Sequence, residues 1–122
     1  MNITTDKQIV DFGGATGLQV STATLAGLKV KAILTGSKTH DFASTATGAY
    51  ATTTVTVTGA ALGDICIGVS LSVDISNAEA APKCYLNGFV SAADTVTAVF
   101  FNATGNTIDL ASATLRAVVL KI

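Results

Sequence analysis

From Tyr50 to Thr58 the chain reads Tyr-Ala-Thr-Thr-Thr-Val-Thr-Val-Thr, with Val55 and Val57 alternating with Thr54, Thr56 and Thr58 before the run breaks at Gly59. Successive side chains of a strand turn to opposite sides, so this order puts β-branched apolar groups on one surface and β-branched hydroxyls on the other. The segment predicts a strand with one dry and one wet face, as in an antiparallel sheet that packs on one side.

The same device recurs along the chain. Leu18-Gln19-Val20 and Leu28 to Leu34 alternate on either side of Ala26-Gly27, and Thr39 to Phe42 makes a further short strand. Beyond the turns at Gly48 and at Gly59 to Gly63, Ile65, Ile67 and Val69 alternate with Cys66 and Gly68. Cys84 to Val90, Thr95 to Asn102 and Ala113 to Ile122 supply three more strands, separated by Ser91 to Asp94 and Gly105 to Ser112. Between them, Ser72 to Pro82 is irregular, with a loop or single helical turn expected at Asn77 to Ala81 before Pro82. No segment keeps apolar residues three and four apart over the ~10 to 12 residues of a helix. The expected fold is therefore all-β, an antiparallel β-sandwich of jelly-roll-like or Ig-like form over residues 18–122. Residues 1–17, with Gly13, Gly14 and Gly17, predict an extended N-terminal arm ordered by a partner.

Composition sharpens this picture. A chain of 122 residues can bury one self-sufficient core. It is 49% apolar and 12% charged, with a formal net charge of −1, so neither nucleic acid nor an acidic membrane surface is an expected partner. A surface so poor in charge must be built from Thr, Ser, Ala and Gly, which favours packing against other protein. Asp6 and Lys7 fall where an export signal would have its apolar core, and no apolar run approaches the ~20 residues of a membrane span.

Reactive chemistry is hard to find. His40 beside Asp41 could form an oriented general base, but neighbours on a strand point to opposite faces, so His40 reads as an exposed or interfacial strand residue. Asp41, Asp64, Asp74, Glu79, Asp94 and Asp109 fall mostly at turns or strand ends, where carboxylates bond nearby backbone amides. A glycosidase pair among them would want a cleft lined with aromatics, and the chain has no Trp and two Tyr. Cys66 and Cys84 lack the companions of a zinc site and read as buried free thiols. Gly13, Gly14 and Gly17 precede no Lys-Ser or Lys-Thr, so they are not a phosphate loop. Lys29 and Lys31 read as a solvated basic edge. Phe89, Phe100 and Phe101 read as core and subunit packing, with Phe100 and Phe101 facing opposite ways. The residues assign no catalytic, cofactor-binding or metal site, and no cofactor.

The order Asp41-Phe42, Thr52 to Ala60, Gly63-Asp64, Gly88 to Thr97, Phe101-Asn102-Ala103-Thr104-Gly105, Ile108-Asp109 and Ala111 to Thr114 resembles a cassette of small phage and prophage virion proteins. It covers about residues 33–122, and Phe89 to Thr97 with the following Asn-Ala-Thr-Gly turn is its more specific half. Two departures stand out: Ala98 replaces a frequent Arg or Val, and Ser70 to Ile75 replaces a Pro-containing loop. The resemblance implies a non-enzymatic β-sandwich module of a head decoration (cement) or head fibre protein, assembled in the host cytoplasm onto the virion. Its implied partners are the major capsid protein or another virion protein, and copies of itself in a homotrimer. The alternative is a receptor- or glycan-binding module of a phage tail or fibre, which would expose an aromatic, polar groove on its distal loops.

Overall fold

The computed structural model describes residues 23–25, 28–77, 79 and 83–122. The expected arm at 1–17 and the short strand at Leu18–Val20 lie outside these residues, as do Ala78 and residues 80–82. Among the described residues the protein is all-β, with no helix long and apolar enough to cross a membrane.

Eight strands follow one another: β1 (Ala23–Leu25), β2 (Leu28–Val30), β3 (Ala32–His40), β4 (Tyr50–Thr56), β5 (Ile65–Leu71), β6 (Cys84–Ala92), β7 (Thr95–Asn102) and β8 (Ala113–Lys121). β1 and β2 form a small antiparallel ribbon. The others make two antiparallel three-stranded sheets, ordered β3-β8-β5 and β4-β7-β6, which face each other as a sandwich. The expected short strand at Thr39 to Phe42 is corrected. β3 runs unbroken to His40 because its nine residues pair in register with β8, and Asp41 and Phe42 lie beyond its end.

The central strands show why the sheets stack. β7 buries Val96, Ala98, Phe100 and Asn102, and β8 buries Ala113, Leu115, Ala117 and Val119, so each alternates one inward and one outward residue. Val55 and Val57 close the same core, while Thr54, Thr56 and Thr58 stay exposed as the alternation predicts. Phe42, Phe100, Ile108 and Leu110 fill the other end.

Two inward-facing glycines let the sheet margins close. A methyl built on Gly36 of β3 would collide with the Thr56 carbonyl, and one on Gly88 of β6 would stand 2.6 Å from Val69 Cγ1 of β5. At one end, Asp94 adopts φ 59° in the β6–β7 turn and ties down the turn after β4. Its N–H donates to the Ala60 carbonyl (2.8 Å), its carbonyl accepts from Val57 N (2.9 Å) and its Oδ1 accepts from Gly59 N (2.7 Å).

At the other end, buried Asn102 meets every demand of its amide. Nδ2 donates to the carbonyls of Thr45 (2.9 Å) and Asn106 (2.8 Å), and Oδ1 accepts from the Thr104 N–H (2.9 Å) and hydroxyl (2.7 Å). Thr45 and Ile108 exchange two backbone hydrogen bonds beside it, so one amide pins two crossing loops.

Candidate interaction surfaces

The outward side of β3-β8-β5 is aliphatic at one end. Ile33 and Ile65 both pair with Leu120 in the ladder, which sets the three in a row across the sheet. A bulge between Cys66 and Gly68 then changes what alternation alone implies for Ile65, Ile67 and Val69: Val69 turns inward, and Ile67 is left outside against Val118. Ile33 is 68% and Ile67 60% exposed, a heavy concentration of unburied aliphatic side chain for one sheet end. Arg116 is the charged residue on the central strand of this face, and the depressions flanking it, about 240 and 220 Å³, fall below the range of small-molecule sites.

The outward side of β4-β7-β6 has a different chemistry. Tyr50 pairs with Phe101, and Phe101 pairs with Tyr85, forming an aromatic row across all three strands. The Tyr85 and Phe101 rings lie 6.4 Å apart and 22° from parallel. Thr52, Thr54, Asn87, Val99, Thr97 and Phe89 occupy the next rows. Phe89 is more than half exposed, so its expected place in core packing is corrected. It shares the outward side of β6 with Tyr85, while Phe100 alone of the three expected phenylalanines is buried, and Phe101 faces out.

The other sequence candidates are spread through the framework. Asp64 stands just before β5 with its side chain covered, and its carboxylate accepts from Ala61 N (2.9 Å), Ile122 N (3.1 Å) and Lys121 Nζ (3.1 Å). The Ile122 amide above all, with Ala61 and Lys121 outweighing burial, holds its pKa below the usual 3.8. It clamps the end of β8 to the turn before β5. Asp74 accepts from Ser76 N and Oγ, Glu79 accepts from Asn106 Nδ2, and Asp41 and Asp109 are exposed. Among the described residues no three metal-ligating side chains converge.

His40 is half-buried rather than exposed, because it ends β3 on the inward side and rests edge-to-face on Phe42, 4.6 Å between ring centres. Burial first, then neighbouring Lys38, lowers its pKa from 6.5 against the opposing pull of Asp41. Lys38 Nζ donates to Thr53 Oγ1 at 2.7 Å, and His40 Nδ1 stands 3.5 Å from the same oxygen.

Cys66 and Cys84 are free thiols, half-buried rather than buried because they face inward on marginal strands of the two sheets. Burial pushes both pKa values up, which keeps them protonated and poorly nucleophilic. Lys29 and Lys31 are exposed but do not share a strand, since β2 ends at Val30 and Lys31 sits in the break before β3.

The surfaces that stand out were missed as surfaces by sequence reasoning. The signal for the aromatic row lay in the outward positions of three separate strands, and only the pairing register brings Tyr50, Phe101 and Tyr85 together. No protein family, curated protein or solved structure matches the chain.

Proposed function

We propose that this chain is a structural protein of a phage virion, a capsid decoration or head fibre protein that works as a symmetric homo-oligomer, with a homotrimer as the starting hypothesis. In this reading it attaches to the major capsid protein or another virion protein, after assembly in the host cytoplasm, and performs no catalytic step. The sequence resemblance motivates the virion context. The observation that supports association is the aliphatic end of the β3-β8-β5 face. Covering a large aliphatic side chain contributes on the order of 1.5 to 3 kcal/mol, so a contact there gains from Ile33, Ile65 and Ile67 together. Symmetric packing of that patch would leave the core untouched.

Light scattering tests the assembly. The expected native mass is near three times 12.2 kDa, and the paired change Ile33→Asp and Ile67→Asp should bring it down to the monomer with thermal unfolding still cooperative. A wild-type monomer would sink self-association. Mass spectrometry of purified particles from the source tests the location, since a decoration protein must be present there in many copies and its absence would overturn the virion reading.

A further inference from the structure

We propose that the outward face of β4-β7-β6 is a binding platform for a neutral saccharide, with Tyr50, Phe101 and Tyr85 as its stacking row. The inference does not depend on self-association, because it uses the opposite sheet.

The face combines three properties. First, it is aromatic: Tyr50 is 68% and Tyr85 55% exposed, on either side of Phe101, and Phe89 adds a further exposed ring. The near-parallel Tyr85 and Phe101 rings offer a broad apolar surface to the C–H faces of a sugar ring. Second, polar groups are interleaved with the rings. Thr52 and Asn87 flank Val99 in the row next to the aromatics, and Thr54 lies one row further on. Among the described residues, the side chains of all three lack a protein hydrogen-bond partner, so their donors and acceptors are free for a ligand. Third, no side chain on the outward face within these strands is acidic, basic or histidine.

Charge complementarity selects the occupant. A nucleic acid or an anionic polysaccharide needs cations that these strands do not provide. A second copy of the chain would cover the Asn87 amide and the threonine hydroxyls, which costs free energy unless each finds a new partner. The aliphatic end of the other sheet carries no such groups between Ile33, Leu120 and Ile65. A neutral saccharide answers both halves of the surface, with C–H faces for the rings and hydroxyls for Thr52, Thr54 and Asn87. Loop position is not required, since the sheet itself holds the rings in register.

Affinity electrophoresis of the full chain through gels containing soluble neutral glucans, mannans, galactans or xylans tests this. Retardation by at least one of them is expected. Tyr50→Ala and Tyr85→Ala should each weaken it about tenfold, the scale of one lost stacking contact, with native mass and melting temperature unchanged. No retardation by any of the four, retardation unaltered by both substitutions, or retardation only by an anionic polysaccharide such as pectate would each overturn the proposal. So would a fall in native mass in either variant, which would make the face a subunit contact. The first three outcomes leave the test of self-association, which reads Ile33 and Ile67, unaltered, whereas a fall in native mass would move the subunit contact to this face.

Discussion

The two sheets are alike on the inside and different on the outside. Inward, β3-β8-β5 presents Leu115, Ala117 and Val119, and β4-β7-β6 presents Val55, Val96 and Ala98, a purely aliphatic set that fills the space between two sheets about 10 Å apart. Outward, the first shows Ile33, Ile65 and Ile67 around Leu120, and the second shows tyrosines, phenylalanines and threonines. Packing constrains the inner faces to converge. The outer faces are released from that constraint, and their divergence points to different contacts for each.

Adjacent residues of one strand put this contrast to its hardest test. Phe100→Ala removes a fully buried ring and should cost about 3–5 kcal/mol in denaturant unfolding. Phe101→Ala, one residue along and facing out, should cost less than about 1.5 kcal/mol while altering only what the outer face binds. Equal losses would mean that the outer aromatic row is part of the folding core, and the inside–outside contrast would collapse.

A smaller effect is expected where polar groups hold the end of the sandwich. Asn102→Ala leaves the Thr45 and Asn106 carbonyls and the Thr104 amide without the partner described above, at a cost of about 2–3 kcal/mol. The Asn-Ala-Thr-Gly turn is thereby explained as a device of folding. Asn102→Asp should be nearly as damaging, since a carboxylate cannot donate to the two carbonyls. Native unfolding curves for both variants would undercut this account.

The smallest effect concerns the flank where β3 meets β4. His40 has a lowered pKa in the folded protein, so the unfolded chain takes up its proton first as pH falls. Stability should therefore decline as pH drops from about 7.5 through the ordinary value of 6.5 towards the folded value, and level off below it. His40→Gln should flatten this part of the pH–stability profile. A profile that keeps its slope in the variant would assign it to another group.

Much of the architecture was legible because alternation is a local signal. The strands at Tyr50, Cys84, Thr95 and Ala113 start where the pattern puts them, and Val55 and Val57 are buried because a period of two leaves them no other face. The carboxylates were legible for a similar reason, with Asp64, Asp74 and Asp94 bonding backbone amides at turns. The exterior was less so. β3 swallowed the separate strand expected at Thr39, because nine rungs of pairing with β8 outweigh the weak break at Thr35-Gly36-Ser37. The bulge at Cys66 and Gly68 turned Val69 inside while Ile65 and Ile67 stayed outside, although all three belong to one alternating run.

What the sequence determined by itself, then, is the class of structure and the core positions of its regularly alternating stretches such as Val55 and Val57, since a side chain's face there follows from its own position in a strand. What only the tertiary structure decided is which strands become neighbours and in which register. Tyr50, Tyr85 and Phe101 are far apart in the chain and become one surface through the β4-β7-β6 ladder, just as Ile33, Ile65 and Leu120 become one through β3-β8-β5. Alternation carries no information about distant partners, and a slip of one residue in either ladder would send each set to the opposite face.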